Sequence, residues 1–437
     1  MLILHISDIH FRHPVCNSSI DPDRPYRTHL LRDARERAKK LGPVGAILVT
    51  GDIAFQGAAA EYDAAFTWLR ELANACGCPL ERVFVVPGNH DVDRSVIRSN
   101  ASVRNVQHAI ANTQPHRRER ELFEQFQDAS AGRALLAPLA AYNDFAARFN
   151  CQVYPPDHLF WHQDLPLDGR TVLRLYGLTS TLLSGIGGKD DTRLSLYLSP
   201  LQTVLDPADG VVNVVMSHHP PDWFMDQDEV DDAIRGRAAI HLFGHKHRQR
   251  CFRDESYVRF SAGAVNPERQ EPGWEPGYNL IQVLTGEAGG QRYIDVEAHL
   301  LAWQTNPDMF RPKMVSQTEA IFRHRLPVHG DFAHTPPPIS SIGSAASTEA
   351  VMLTATAEPR AVDMETAMSD ERTRNLVLRF WSLASSQRRE IAIRLGLIDQ
   401  EELRLPEPER YGRALLRARE RLLLDRVAEE IERMEKH

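Results

Sequence analysis

Five short apolar runs, each followed within three residues by histidine, aspartate or asparagine, limit what this chain can fold into more than any other feature. The runs are residues 2–7, 46–50, 83–86, 211–216 and 239–243. Short β-branched runs bounded by glycine, proline or aspartate are typical of buried strands. The polar residues that follow would lie at the carboxyl ends of these strands, where open α/β sheets place their ligands.

These polar residues form five motifs whose side chains suit a pair of divalent metal ions. The motifs are Asp8-Ile9-His10, Gly51-Asp52, Gly88-Asn89-His90-Asp91, His218-His219-Pro220 and Gly244-His245-Lys246-His247. Two cations that clamp a phosphoryl group need a bridging anion, such as a carboxylate, together with oxygen and imidazole ligands. Each motif alone is more often an ordinary turn, and only their joint order and spacing predict a metal centre.

In that order and spacing, the motifs resemble those of the calcineurin-like metallophosphoesterase superfamily, over about residues 1–310. The resemblance implies a fold of the α/β class, a four-layer αββα sandwich of two β sheets flanked by helices, with the metals at one edge. It also implies a metal-dependent phosphoric ester hydrolase with two divalent metal ions as cofactors. Manganese is the first expectation, and iron, zinc and nickel also suit these ligands.

The resemblance assigns the metal ligands position by position. The first metal would be held by Asp8, His10, Asp52 and His247. Asp52 would also bridge to the second metal, whose other ligands would be Asn89, His218 and His245. His219 is an alternative to its neighbour His218, but the superfamily's His-x-Pro pattern favours His218.

Two catalytic residues, His90 and Asp91, are assigned beside the metals by the same resemblance. His90 would stabilise or protonate the leaving oxygen of the substrate. Asp91 would orient the His90 imidazole, as a carboxylate commonly does. The expected reaction is in-line attack on phosphorus by a hydroxide that bridges the two metals.

Composition limits the number of domains, the cellular compartment and the kinds of binding partner that we expect for this chain. The chain has 437 residues, 42% of them hydrophobic, which predicts two to three domains with a large core. A net charge of −8 argues against a broadly basic surface for nucleic acid, although it does not exclude a local basic patch. Five cysteines, few and odd in number, fit a reducing compartment. Because no signal peptide or membrane-length apolar run is present, we expect a cytoplasmic protein without a membrane partner.

Two segments near the motifs have open interpretations. Residues 93–149 are a helical insertion, rich in arginine, glutamine and histidine, which is either a wall over the metals or a solvated excursion. Its basic cluster would contact the phosphates of a longer substrate or form a solvated face. Trp223 and Phe224, just after the metal histidine, would stack on a substrate ring or pack in the core.

A shift in composition near residue 326 divides the chain. We expect a phosphoesterase domain at 1–325, a flexible linker rich in proline, serine, alanine and threonine at 326–362, and a helical domain at 363–437. Apolar spacing predicts three or four helices in the last part, ending in one long helix over residues 411–434. This part loosely resembles the small death-like adaptor modules found beside bacterial conflict effectors, which implies a protein partner. The alternative is a helical tail that dimerises or packs back on the enzyme.

Three functions are consistent with the sequence. The first is a binuclear phosphodiesterase for a nucleotide-type substrate such as a cyclic nucleotide, which Asn89, the complete ligand set and the acidic pI favour. The second is a nuclease of the same fold, recruited through its helical domain and contacting nucleic acid through the arginine-rich regions. The third is an adaptor protein whose phosphoesterase activity is secondary.

Overall fold

Two mixed β sheets form the centre of the first part of the protein in a computed structural model, which describes residues 1–154, 158–270, 273–328 and 364–436, with the backbone alone at 364–370. The strands of the first sheet are β1 (Leu2–Ile6), β2 (Val44–Val49), β3 (Val83–Val85), β10 (Gly277–Ala288), β11 (Gln291–Gln304), β12 (Met309–Pro312) and β13 (Ile321–Pro327). The strands of the second sheet are β4 (Phe160–Pro166), β5 (Val172–Leu178), β6 (Val211–Met216), β7 (Ile240–Phe243), β8 (Arg250–Arg253) and β9 (Val258–Ser261).

Each sheet contains a parallel set of strands. The first has the order β12-β11-β10-β1-β2-β3, with β13 paired to β11, and the second has the order β4-β5-β6-β7-β9-β8. The strands β1, β2 and β3 are parallel to one another, as are β5, β6, β7 and β9. Every residue of β1 and β3 is buried, which explains why the sequence shows continuous apolar runs rather than alternation.

Helices pack on the sheets, and five of them lie in the insertion that follows the third motif. The helices are α1 (Arg24–Leu41), α2 (Ala59–Cys76), α3 (Arg94–Ser99), α4 (Ala101–Asn112), α5 (Pro115–Gln127), α6 (Ala129–Leu136), α7 (Ala140–Ala146) and α8 (Gln227–Arg237). Both sheets and these helices contribute to one hydrophobic core. The predicted fold class, an α/β sandwich of two sheets with flanking helices and a C-terminal helical domain, is confirmed.

The C-terminal part has a hydrophobic core of its own. Its helices are α9 (Met364–Ser382), α10 (Ser385–Arg394), α11 (Glu407–Glu420) and α12 (Leu424–Glu435). Leu376, Phe380, Tyr411, Val427 and Ile431 are buried in this core, which is separate from that of the sandwich. The four helices therefore form a small bundle, as the apolar spacing predicted.

The prediction of a single helix over residues 411–434 is wrong, because the chain turns between α11 and α12. Leu422 adopts a left-handed conformation with φ 56°. The Leu423 N–H then donates to the Ala418 carbonyl and the Leu422 N–H donates to the Arg419 carbonyl, which is the Schellman pattern of helix termination. No glycine or proline marks the turn, so local sequence carries no signal for it.

The boundaries of the predicted linker are only partly visible. β13 continues to Pro327 and pairs with β11, so the sheet extends past the expected limit of residue 325. Residues 329–363, most of the expected linker at 326–362, lie outside the described residues. Within the described part of the chain, no helix has both the length and the apolar content needed to cross a bilayer.

Candidate metal centre

The predicted metal ligands lie just past the carboxyl ends of parallel strands, on tightly turned backbone. Five of them have left-handed conformations: Asp8 (φ 53°), His10 (φ 52°), Asp52 (φ 53°), His245 (φ 64°) and His247 (φ 52°). Aspartate and histidine tolerate this region better than most residues, but each instance still costs free energy. So many strained residues at one edge of the sandwich indicate a functional site rather than ordinary turns.

Close backbone approach explains the glycines of the motifs. Gly51 has φ 89°, and a Cβ there would lie 2.6 Å from His218 Nδ1. A Cβ on Gly88 would lie 2.1 Å from Asp52 Oδ1. Any larger residue at these two positions would displace Asp52 or His218.

The first group of side chains comprises Asp8, His10 and His247, with Asp52 beside them. His247 Nε2 lies 3.1 Å from Asp8 Oδ1, and His10 Nε2 lies 3.4 Å from Asp52 Oδ2. The ligand atoms of Asp8, His10 and His247 all lie within 4.8 Å of one another. This spacing is suitable for a single cation among them.

The second group comprises Asn89, His218 and His245, again with Asp52 at its side. Asn89 Oδ1 lies 3.1 Å from His218 Nε2 and 2.9 Å from His245 Nδ1. His218 Nε2 also lies 3.2 Å from Asp52 Oδ2. The same carboxylate oxygen therefore faces a histidine of each group.

Backbone carbonyls fix which nitrogen of two histidines faces the site. The His218 Nδ1 lies 2.7 Å from the Thr50 carbonyl oxygen, and the His10 Nδ1 lies 3.1 Å from the Asn266 carbonyl oxygen. Because a carbonyl can only accept, each Nδ1 carries a hydrogen, which leaves Nε2 as the nitrogen that would bind a cation. Sequence reasoning did not identify these partners, since a backbone carbonyl leaves no residue-type signal.

The donor set fits divalent cations. His218 Nε2 and His245 Nδ1 lie only 3.3 Å apart, and the buried Asp8 Oδ1 has no well-aligned hydrogen-bond donor among the described residues. Burial acts to raise the pKa of Asp8, but His247 and His218 together outweigh it and the pKa falls to about 2. Burial likewise opposes ionisation of Asp52, yet His218 and His90 hold its pKa well below the usual value. Ionised carboxylates and imidazole lone pairs converging in a buried space are the ligands that first-row metals prefer.

The expected contact between Asp91 and the His90 imidazole is not present, which corrects the predicted role of Asp91. The Asp91 carboxylate instead accepts hydrogen bonds from the backbone N–H groups of Ile53, Ala54 and Gly88. Its Oδ1 also accepts from the Tyr62 hydroxyl at 2.9 Å. Asp91 is fully buried behind the loop, so it shapes the backbone around Asp52 and does not reach the ring.

His90 is oriented by a different group. Its Nδ1 donates to the Phe55 carbonyl oxygen at 2.9 Å, and its backbone N–H donates to Asp52 Oδ1 at 2.8 Å. Burial lowers the pKa of the imidazole, against the opposite effect of Asp52, so the protonated ring gives up its proton more readily. The side chain remains partly exposed beside the ligand set.

His219 and the aromatic pair lie on the His245 side of the site. His219 Nδ1 lies 2.9 Å from Ser180 Oγ, and its ligand atom comes within 4.8 Å of those of His218 and His245. The partly exposed Trp223 meets the His245 ring edge to face, with centroids 4.0 Å apart. Phe224 is buried in the core. Phe224 therefore packs in the core, whereas Trp223 packs against the core and also lies beside the candidate metal site.

Two arginines of the helical insertion, Arg118 and Arg120, are engaged within the protein and lie in different environments. Arg118 is buried, donates to the Thr113 carbonyl and lies over the Tyr197 ring. Arg120 pairs with Glu124 at 2.8 Å on the exposed side of α5. A phosphate-binding stripe built from these arginines is therefore not supported.

A two-sheet sandwich with histidines, aspartates and an asparagine gathered at its strand ends defines a metallophosphoesterase fold. The chain belongs to the calcineurin-like phosphoesterase family, whose model matches residues 1–249, more than half of the sequence. A second family model, the GTPase-associated adaptor domain, matches residues 372–433. The prediction of an adaptor domain behind a phosphoesterase is thereby confirmed.

Solved structures with a similar fold are distant in sequence. Vps29 from Chaetomium thermophilum is 12% identical, with a TM-score of 0.29 over 75% of this chain and 100% of that one. Vps29 from Entamoeba histolytica, solved with Zn²⁺, is 10% identical, with a TM-score of 0.29 over 75% and 99%. GAP50, the anchor in the inner membrane complex of Plasmodium, is 10% identical, with a TM-score of 0.36 over 76% and 90%. No curated protein sequence matches the chain.

Proposed function

We propose that this chain is a binuclear metal-dependent phosphodiesterase for nucleotide-type substrates. The observation that carries the proposal is the position of Asp52, whose Oδ2 lies 3.4 Å from His10 Nε2 and 3.2 Å from His218 Nε2. One carboxylate thus faces both groups of donors, so Asp52 would be a ligand shared by two cations. We assign one cation to Asp8, His10, Asp52 and His247, and the other to Asp52, Asn89, His218 and His245.

The mechanism follows from what these residues can hold. When bound, two divalent cations supply positive charge to the phosphoryl group and a nucleophile near neutral pH. The Thr50 and Asn266 carbonyls keep two imidazoles in the orientation that binding requires. We propose that His90, which lies beside the ligands without belonging to them, stabilises or protonates the leaving oxygen. Asp91 contributes by holding the loop that carries Asp52.

The surroundings of the site favour a small nucleotide over a long polyanion. Trp223 presents a partly exposed aromatic ring next to His245, on which a base can stack. The net charge is −8, and Arg118 and Arg120 of the insertion are engaged within the protein. Nuclease activity therefore has less support than cleavage of a compact diester.

We extend the proposal to the domains and their setting. The phosphoesterase domain would comprise residues 1–325 together with the end of β13, and the helical domain would begin near residue 363 after the linker. The match of residues 372–433 to an adaptor domain supports a protein partner for this part. Five free cysteines support a cytoplasmic location.

Hydrolysis of bis(p-nitrophenyl) phosphate and p-nitrophenyl phosphate tests the proposal. Each would be assayed with Mn²⁺, with Zn²⁺ and without metal, for the wild type and for Asp52→Ala. We expect metal-dependent cleavage with a preference for the diester, lost in the variant because the shared ligand is removed. A preference for the monoester, or equal diester cleavage by Asp52→Ala, would contradict it.

A second assay separates the substrate classes. Cyclic nucleotides and single-stranded DNA would be offered at two salt concentrations. We expect cleavage of a cyclic nucleotide with little dependence on salt, since one phosphate is contacted. A preference for DNA with a steep loss of affinity in salt would identify a nuclease instead.

A further inference from the structure

Glu61, in the first turn of α2, is a buried carboxylate that collects backbone hydrogen bonds from the loop beside the metal centre. It is 1% exposed. Its Oε2 accepts from the backbone N–H groups of Phe55, Gln56 and Ala58 at 3.0–3.2 Å. Its Oε1 accepts from the His13 N–H at 3.0 Å. A single side chain thus determines the path of residues 55–58.

The same loop carries the group that orients His90. The Phe55 carbonyl oxygen accepts from His90 Nδ1 at 2.9 Å. The Phe55 ring stacks on the His90 imidazole, with centroids 5.0 Å apart and planes inclined by 19°. The Arg12 guanidinium lies 3.7 Å from the centroid of the Phe55 ring. Both the carbonyl and the ring of Phe55 therefore restrict how the imidazole can turn.

We propose that Glu61 is a positioning residue for His90. It fixes Phe55, and Phe55 holds Nδ1 protonated and the ring plane constant, so that Nε2 carries the proton that is exchanged with the leaving oxygen. This inference rests on the function proposed above, in which His90 acts on the leaving group. The family resemblance implied that Asp91 orients His90, but Asp91 accepts hydrogen bonds from residues 53–54, and the segment that contacts His90 is held by Glu61.

A double-mutant cycle between Glu61→Ala and His90→Ala distinguishes positioning from a merely structural role. Rates would be measured on bis(p-nitrophenyl) phosphate and on diphenyl phosphate, whose phenoxide leaves less readily. General acid catalysis is typically worth about 10²–10⁴-fold, and misplacing the acid forfeits part of that factor. We expect Glu61→Ala to lower kcat about 10- to 100-fold on diphenyl phosphate, with a smaller loss on the better leaving group. KM and bound metal should change little.

In the His90→Ala background, Glu61→Ala should have no further effect beyond about twofold, since the residue it positions is gone. Equal losses in both backgrounds, or no loss in either, would overturn the proposal. Glu61→Gln should recover part of the rate, because its amide oxygen can still accept at the Oε2 position.

Glu402 provides a matched control. Like Glu61, Glu402 lies in the first turn of a helix, here the short helix Gln400–Arg404 of the helical domain. Its carboxylate accepts a hydrogen bond from the Asp399 backbone N–H at 2.9 Å. Glu402→Ala should lower the melting temperature and leave kcat unchanged. A comparable loss of kcat in this variant would mean that general destabilisation, not positioning, explains the Glu61 result.

An NMR measurement keeps the inference separate from the proposed activity. In ¹⁵N-labelled imidazole spectra, His90 of the wild type should show the Nδ1–H tautomer, and Glu61→Ala should shift the population toward Nε2–H. An unchanged tautomer would refute positioning by Glu61 whatever the assays give. If the tautomer shifts while His90→Ala keeps full activity, the proposed role of His90 fails and the positioning stands.

Discussion

Arg374 joins the adaptor domain to β3, the strand that precedes the third metal-binding motif. We predict that removing its guanidinium lowers the free energy of unfolding. The side chain is 5% exposed. It donates to the Glu81 and Val83 carbonyl oxygens, the latter at 2.9 Å, and lies 4.1 Å from the centroid of the Phe84 ring. Because β3 is the last strand of its sheet among the described residues, no described strand pairs with the Val83 carbonyl on the outer side. The Arg374 guanidinium instead donates the hydrogen bond to this carbonyl oxygen.

The expected loss can be worked from these contacts. A hydrogen bond to a charged group is worth about 1.5–3 kcal/mol, and a desolvated cation–π contact up to about 2 kcal/mol. Two such hydrogen bonds and one such contact set an upper limit near 8 kcal/mol for Arg374→Ala. Water can reach part of the space left by the side chain and satisfy the carbonyls. We therefore expect a loss of about 2–4 kcal/mol in the free energy of unfolding.

Urea denaturation followed by intrinsic fluorescence would measure the loss, with Arg372→Ala as the control. Arg372 is an exposed arginine on the same helix. Its replacement should change the free energy of unfolding by no more than about 0.5 kcal/mol. Two domains need not unfold together, so a shift of the transition midpoint is the primary readout. If both variants unfold at the same urea concentration, the contacts of Arg374 do not stabilise the docked arrangement.

Three further predictions concern other parts of the chain. Mn²⁺ should raise the melting temperature of the wild type, because the buried donors bind it in the folded state alone, and raise that of Asp52→Ala much less; equal shifts would contradict the shared ligand. Leu422→Gly should stabilise the adaptor domain by about 0.5–1 kcal/mol, since φ 56° strains a leucine that is 89% exposed; a lower unfolding midpoint would show that the leucine itself stabilises the turn. Burial raises the pKa of Asp191 to about 6 from an unfolded value near 3.8, so ionisation of Asp191 destabilises the fold as the pH rises through this window. The melting temperature of Asp191→Asn, relative to that of the wild type, should therefore increase from pH 4 to pH 7. A difference in melting temperature that does not depend on pH would refute this prediction.

The metal donors could be predicted from sequence because each depends on a local pattern. A buried parallel strand has a continuous apolar sequence, and ligand-binding side chains follow its carboxyl end. The strands ending before Asp8, Asp52, Asn89, His218 and His245 all have this pattern. That these strand ends meet at one edge of the sandwich was implied by the resemblance and not by the pattern itself.

Other features could not be predicted because their cause is tertiary. Asp91 is adjacent to His90 in sequence, yet its carboxylate turns away to satisfy N–H groups of the Ile53 loop that only the fold brings near. A single helix was predicted over residues 411–434, but the chain turns at Leu422, and this turn allows Val427 and Ile431 of α12 to pack in the bundle core. In both cases the residue type is compatible with the predicted arrangement, but contacts with segments distant in sequence stabilise a different arrangement.

Strand β3 is held from both of its sides, and this links the two domains physically. On the inner side it pairs with β2, whose end carries Asp52. On the outer side the Val83 carbonyl accepts from Arg374 of the adaptor domain, and the Val85 carbonyl accepts from Tyr142 and Trp161. An edge strand with its carbonyls satisfied by side chains is protected from pairing with another chain. Since the motif that carries Asn89 and His90 begins three residues after Val85, the side chains that protect the edge also fix the start of the metal-binding loop.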